Sequence, residues 1–263
     1  MSNLAQMAGV SLAYRFDGPA HGEVVMLANS LAADMNMWNE NVAAFAEKYR
    51  VLRYDMRGHG ESSTPAGDYT PELLADDVVH LLDHLAIPKV HFVGLSLGGI
   101  VGQQLGARHG SRLLSLTLCD TMSKQAAPAA WADRIVAVRT NGMEAVVQST
   151  IDRWFTPSFF ERRPDRAVEI KKMILRTRVD GYASCVAAIR QLDQTDLLPR
   201  LATRTLVLTG ESDQAAPPAV AEAMHERIGG SGLHIVKGAA HLSNVEEPGD
   251  FNAAVLSFIG AGN

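Results

Sequence analysis

Three residues able to open an acyl bond follow one another along this chain: Ser96, Asp213 and His241. Ser96 stands in Gly94-Leu95-Ser96-Leu97-Gly98-Gly99. A hydroxyl is a weak nucleophile until a base takes its proton. The base in turn needs an acid that holds its tautomer and stabilises its cation. Asp213 lies in the turn Gly210-Glu211-Ser212-Asp213-Gln214 and is favoured over its neighbour Glu211 as that acid. His241 lies in Lys237-Gly238-Ala239-Ala240-His241-Leu242, whereas His234 falls inside an apolar run and reads as structural. A loop histidine by itself is ordinarily only exposed. The order serine, acid, histidine is what gives His241 the role of base.

Elements must place these groups together. The run Val90-His91-Phe92-Val93 before the serine reads as a buried strand, and Ile100 to Ala107 after it as a helix. A serine at so tight a strand-to-helix turn needs glycine around it. The helix then points its positive end at a developing oxyanion. Further strands are expected over Val10–Arg15, Glu23–Ala28, Tyr49–Tyr54, Val90–Leu95, Leu114–Cys119, Thr205–Thr209 and Leu233–Val236. The later runs are continuously apolar, as in parallel strands covered on both faces. Thr70-Pro71-Glu72 opens a helix with a cap, a proline at the first position and an acid at the positive end. Leu74, Val78, Leu81 and Leu85 continue it at helical spacing. This rhythm predicts a mostly parallel sheet flanked by helices. It stops between Thr121 and Leu198, where Trp131, Met143, Trp154, Phe155, Phe159, Phe160 and Met173 fall in helical patterns. We expect a core of residues 1–120 and 199–263, and a helical cap of 121–198 inserted at the strand edge where ligands bind in such sheets.

A serine between glycines at a strand-to-helix turn is the nucleophile elbow of the α/β-hydrolase fold, and that fold is the expectation. Its oxyanion donors would be the Leu97 N–H, just after the nucleophile, and the Leu31 N–H in Asn29-Ser30-Leu31-Ala32-Ala33. Many hydrolases of this fold read His-Gly where this chain has Asn29-Ser30, so Asn29 is expected to brace the loop. Tyr54-Asp55-Met56-Arg57-Gly58-His59-Gly60 is similar to the D-x-R-G-x-G segment of the fold. Asp55 and Arg57 read as structural, holding that loop by turn and ion-pair contacts.

Bulk properties exclude several classes. The 263 residues suit one domain with an insertion, and 47% hydrophobic with 20% charged residues is ordinary for a globular enzyme. A net charge of -5 with no basic stripe argues against nucleic acid. No apolar run reaches the roughly 18 residues of a membrane span. Met1 to Gln6 lacks the basic and apolar regions of a signal peptide, and Cys119 and Cys185 form no disulfide framework. A reducing cytoplasm is the expected compartment, with Cys119 an inert core thiol. The nine histidines show no metal-ligand spacing, so no metal or other cofactor is expected. A homodimer is expected from the prevalence of symmetric pairs among soluble enzymes.

Val25 to Leu31, Asp34 to Trp38, Val51 to Gly60 and Gly94 to Gly99 together resemble the 3-oxoadipate enol-lactonases. Trp131 to Ile135, Val138 to Met143 and Asp152 to Phe155 extend the resemblance into the cap, so it spans nearly the whole chain. One departure is Ala32, where glycine is expected. The resemblance implies hydrolysis of a small anionic enol-lactone in aromatic catabolism, without metal or organic cofactor. An anion wants a cation near its carboxylate. Arg134, Arg139 and Arg153 are the candidates, and Trp131, Trp154 and Trp38 the candidate apolar wall. Of these, Trp131, Arg134 and Trp154 are the expected substrate contacts. The alternatives are a general carboxylesterase, another lactonase such as an acyl-homoserine lactonase, or a carbon–carbon bond hydrolase. A dehalogenase would need an aspartate at position 96. A non-catalytic receptor need not keep all three of Ser96, Asp213 and His241.

Overall fold

Short runs of valine, leucine and methionine build the middle of the molecule. The computed structural model describes residues 2–262, so Met1 and Asn263 at the ends of the expected core lie outside it. Its strands are β1 (Asn3–Met7), β2 (Val10–Asp17), β3 (Val24–Ala28), β4 (Arg50–Tyr54), β5 (Val90–Leu95), β6 (Leu113–Cys119), β7 (Thr205–Gly210) and β8 (Gly232–Val236). They form one sheet in the order β1-β2-β4-β3-β5-β6-β7-β8. The first two ladders are antiparallel and the rest parallel. Every residue of β3, β5 and β7 is buried, as a sheet covered on both faces requires. This is the expected α/β architecture. The strand missed by the sequence is β1. Only Ala5 of it is buried, so it carries no apolar run and owes its conformation to pairing with β2.

The helices are α1 (Asn39–Ala46), α2 (Pro71–His84), α3 (Leu97–His109), α4 (Pro128–Asn141), α5 (Glu144–Trp154), α6 (Pro157–Arg162), α7 (Pro164–Arg176), α8 (Val179–Arg190), α9 (Pro218–Arg227), α10 (Ser243–Glu246) and α11 (Pro248–Gly260). Helix α2 starts where the cap signal placed it: Thr70 Oγ1 accepts from the Leu73 amide at 3.2 Å. Its Leu74, Val78 and Leu81 are buried on the sheet.

Between β6 and β7 the chain forms α4 to α8 and no strand. These helices are pinned to the rest at several points. Arg166 on α7 donates to Glu40 on α1 and to the Asn36 carbonyl, both at 2.9 Å. Arg178 donates to Thr64 at 2.5 Å and to the Ser62 carbonyl. Gly181 on α8 meets Gly58 so closely that a methyl group on Gly181 would lie 2.0 Å from the Gly58 carbonyl oxygen.

Candidate active site

Ser96 follows β5 directly and caps α3 with φ +57° and ψ -110°. Side chains seldom adopt this backbone, and close crossing of neighbouring chain segments enforces it. A methyl on Gly94 would lie 2.2 Å from the Gly98 oxygen, and one on Gly98 would lie 2.3 Å from the Ala28 oxygen. The end of β6 and the residues after it brace the turn: the Ser96 amide donates to the Cys119 carbonyl, and the Thr121 hydroxyl to the Ser96 carbonyl, each at 2.8 Å.

Asp213 and His241 come to Ser96 from the ends of β7 and β8. Asp213 Oδ2 lies 2.8 Å from His241 Nδ1, and His241 Nε2 lies 3.0 Å from Ser96 Oγ. A carboxylate only accepts, so Nδ1 carries the proton and Nε2 is free to accept from the serine hydroxyl. Asp213 Oδ1 takes the Ala215 and Ala216 amides at 2.7 and 3.0 Å. Burial raises the Asp213 pKa, but the His241 charge, its hydrogen bond and these amides outweigh burial and hold it below the usual value. Burial lowers the His241 pKa, and the Asp213 carboxylate outweighs that and leaves it raised. Glu211 points elsewhere and accepts from the Gly238 amide at 3.1 Å. His234 pairs with Asp250 at 3.0 Å.

Asp120 adds a second buried carboxyl to this corner. Its Oδ1 accepts from the Gly210 amide at 2.8 Å and its Oδ2 from the Ser243 hydroxyl at 2.6 Å. Burial, and then the Asp213 charge, push its pKa well above the usual range. It ties the start of the Asp213 turn to the segment after His241.

The loop after β3 faces the elbow. Neither the Leu31 nor the Leu97 amide meets an acceptor among the described residues, so both remain available as donors. Asn29 braces the loop, donating to the Tyr54 carbonyl at 3.1 Å, accepting from Trp38 Nε1 at 3.0 Å and taking the Gly98 amide on its carbonyl at 3.0 Å. Ala32, where glycine was expected, has φ +64°. Its amide donates to His59 Nε2 at 3.0 Å. Burial holds His59 down to a pKa of about 4, so its ring is neutral and can accept. Asp55 receives the Met35 and Glu61 amides at 2.7 and 2.9 Å, and Arg57 grips Asp77 with two parallel hydrogen bonds.

Above Ser96 lies an open-mouthed cavity, walled on the sheet side by Ser30, Leu31, Thr121 and His241. Trp131, Arg134, Thr150, Arg153, Trp154 and Tyr182 wall it from α4, α5 and α8. The expected contacts Trp131, Arg134 and Trp154 therefore all line it. Trp38 does not; it is buried under the Asn29 loop against Phe251. Arg139 is exposed and also lies off the cavity. Arg134 spends its fork on the Tyr182 hydroxyl at 2.9 Å and Thr150 at 2.8 Å. Arg153 makes no hydrogen bond or ion pair among the described residues. Burial, then the Arg134 charge, lowers its pKa. Sequence reasoning missed Asp120, Thr150 and Tyr182. Thr150 and Tyr182 sit in helices with no motif around them, though both lie on apolar helix faces turned inward.

A family model described as the alpha/beta hydrolase fold matches residues 23–248. The 3-oxoadipate enol-lactonase 2 of Acinetobacter baylyi is 37% identical over 94% of this chain and 92% of its own. The enol-lactonase structure from Burkholderia xenovorans superposes with a TM-score of 0.96 at 39% identity, covering 98% of this chain and 100% of that one. A thermophilic esterase from Thermogutta terrifontis, solved with malate bound, gives 0.93 at 31% identity, covering 100% and 99%.

Proposed function

The chain belongs to the α/β-hydrolase family and, within it, to the 3-oxoadipate enol-lactonases, and from that premise we propose that it opens 3-oxoadipate enol-lactone through Ser96, His241 and Asp213. It is an ester and lactone hydrolase by kinship. The observation that carries the finer reading is the unbroken relay from Asp213 through His241 to Ser96 beneath a cavity holding an unengaged arginine.

In this reading the Ser96 oxygen attacks the lactone carbonyl while His241 Nε2 takes its proton. The Leu31 and Leu97 amides receive the oxyanion. Collapse breaks the ring C–O bond, and the imidazolium returns its proton to the departing enol oxygen. The enol becomes the ketone, leaving an acyl group on Ser96. His241 next takes a proton from water, hydroxide attacks the acyl carbonyl, and the serine leaves with that proton. The substrate carboxylate lies against Arg153, with Arg134 held beside it by Tyr182 and Thr150. The esterase with malate bound supports carboxylate recognition in this fold. Action in aromatic catabolism within the cytoplasm completes the proposal.

The test is turnover of 3-oxoadipate enol-lactone, followed as loss of ultraviolet absorbance, beside p-nitrophenyl acetate. A kcat/KM above about 10⁴ M⁻¹s⁻¹ on the lactone, far exceeding the ester, is expected. Strong ester turnover with a silent lactone would instead make this a general carboxylesterase.

A further inference from the structure

The His241 ring is fixed by Asp213, but its backbone is fixed from another direction. The Ala240 amide, one residue before it, donates to Glu246 Oε2 at 2.8 Å. The Leu242 amide, one residue after it, donates to the Trp154 carbonyl at 3.0 Å. Glu246 is 2% exposed, and its Oε1 accepts from the Thr156 amide at 3.0 Å and from the Thr156 hydroxyl. Trp154 ends α5 and Thr156 follows it, both in the segment between β6 and β7. Both flanks of His241 are therefore tied to that segment, while Ser96 is carried by the sheet. A buried carboxyl taking three hydrogen bonds is a stiff junction, because losing one strands a polar group away from water. Arg153 and Trp154, in the same stretch, face the cavity.

We propose that Glu246 is a positioning residue that makes the placement of the catalytic base depend on how the cap seats on its ligand. This rests on reading Ser96 and His241 as nucleophile and base. A ligand gripped at Arg153 and Trp154 steadies residues 153–156. Through Glu246 it steadies Ala240 and so presents Nε2 to the serine. A small ester that reaches Ser96 without filling the cavity gains no such support.

The test compares wild type with Glu246→Gln on the carboxylate-bearing lactone and on p-nitrophenyl acetate. Glutamine keeps the size and one acceptor but turns an NH₂ toward an amide donor. The expected result is a fall in kcat on the lactone of about tenfold or more, with KM within about threefold, and a fall on the acetate ester at least about threefold smaller. Thr156→Val, which removes the hydroxyl's bonds to Glu246 and to the exposed Ser158 and keeps the amide bond, gives the same pattern at smaller size and carries the test if Glu246→Gln fails to fold. The acid limb of kcat/KM stays in place, since the charges bearing on the ring are Asp213, Asp120 and Arg153. Equal losses on both substrates, or a displaced acid limb, would overturn the proposal. Failure of the underlying reading is seen separately: Ser96→Ala would then still turn over. If wild type ignores the lactone, a p-nitrophenyl ester bearing a free carboxylate takes its place in the comparison.

Discussion

At Ser96 the chain turns through positive φ because Gly94 and Gly98 let neighbouring segments cross. Alanine fits the same turn, so Ser96→Ala should melt with wild type while losing at least about 10³-fold in turnover. Asp213→Asn leaves His241 without the acceptor that fixes its tautomer, and kcat should fall by about 10⁴-fold. The pH dependence follows from the raised His241 pKa. The base works only when neutral, so kcat/KM falls as pH drops through a midpoint above the ordinary value of about 6.5. Arg153 and Arg139 separate two kinds of cap arginine. Arg153→Met should raise KM for the anionic lactone by about tenfold or more, the worth of a charge-assisted hydrogen bond, and spare the neutral ester. Arg139→Met should change neither. The sequence shows the serine, the acid and the histidine because each sits beside a strand end with a motif around it. It does not separate Arg139 from Arg153, because both lie in amphipathic helices whose facing is decided only by docking. Asp120 and Glu246 are invisible in it, since Asp120 joins Gly210 to Ser243 and Glu246 joins Ala240 to Thr156, pairs that only the folded chain brings together.

The loop after β3 shows how an element can carry its history in one residue. Ala32 stood out in the sequence as a missing glycine, and its φ of +64° is the reason glycine belongs there. Ala32→Gly should raise stability by up to about 1 kcal/mol in a urea titration, the left-handed strain outweighing the added freedom of the unfolded chain. His59, which takes the Ala32 amide, gives a second handle. With a folded pKa of about 4 against about 6.5 unfolded, the unfolded chain binds the proton first. Its stabilisation is complete above about pH 6.5 and is lost as pH falls toward 4. Asp55, pushed up to about 7 by burial, slopes the other way. The difference between wild type and His59→Gln therefore isolates the effect, and should grow by about 3 kcal/mol from pH 4 to 6.5. Most elements were legible because their apolar spacing is set by the sheet they cover. Strand β1 was not, because pairing with β2 rather than burial holds it.

Across the whole molecule the segment carrying α4 to α8 is bound by side chains to α1, to the loop after β4 and to α10. Arg166 and Glu40 are the most enclosed of these pairs, their side chains 9% and 12% exposed. Arg166→Ala should lower stability by about 2 kcal/mol, since Glu40 then keeps only its bond from the partly exposed Arg163 at 3.1 Å. Urea unfolding should remain a single transition by fluorescence and by circular dichroism; two transitions would mean that the cap stands alone. The contact between Gly58 and Gly181 sets a different kind of limit. Each glycine occupies the space that a side chain on the other would need, and they are 123 positions apart in the chain. Neither can acquire even a methyl group while the other backbone stays put. In a library of random variants these two positions should empty together. An evolving lineage could leave glycine there only by first moving α8 off the loop, so this one touch of backbone on backbone closes off routes of descent that no catalytic group forbids.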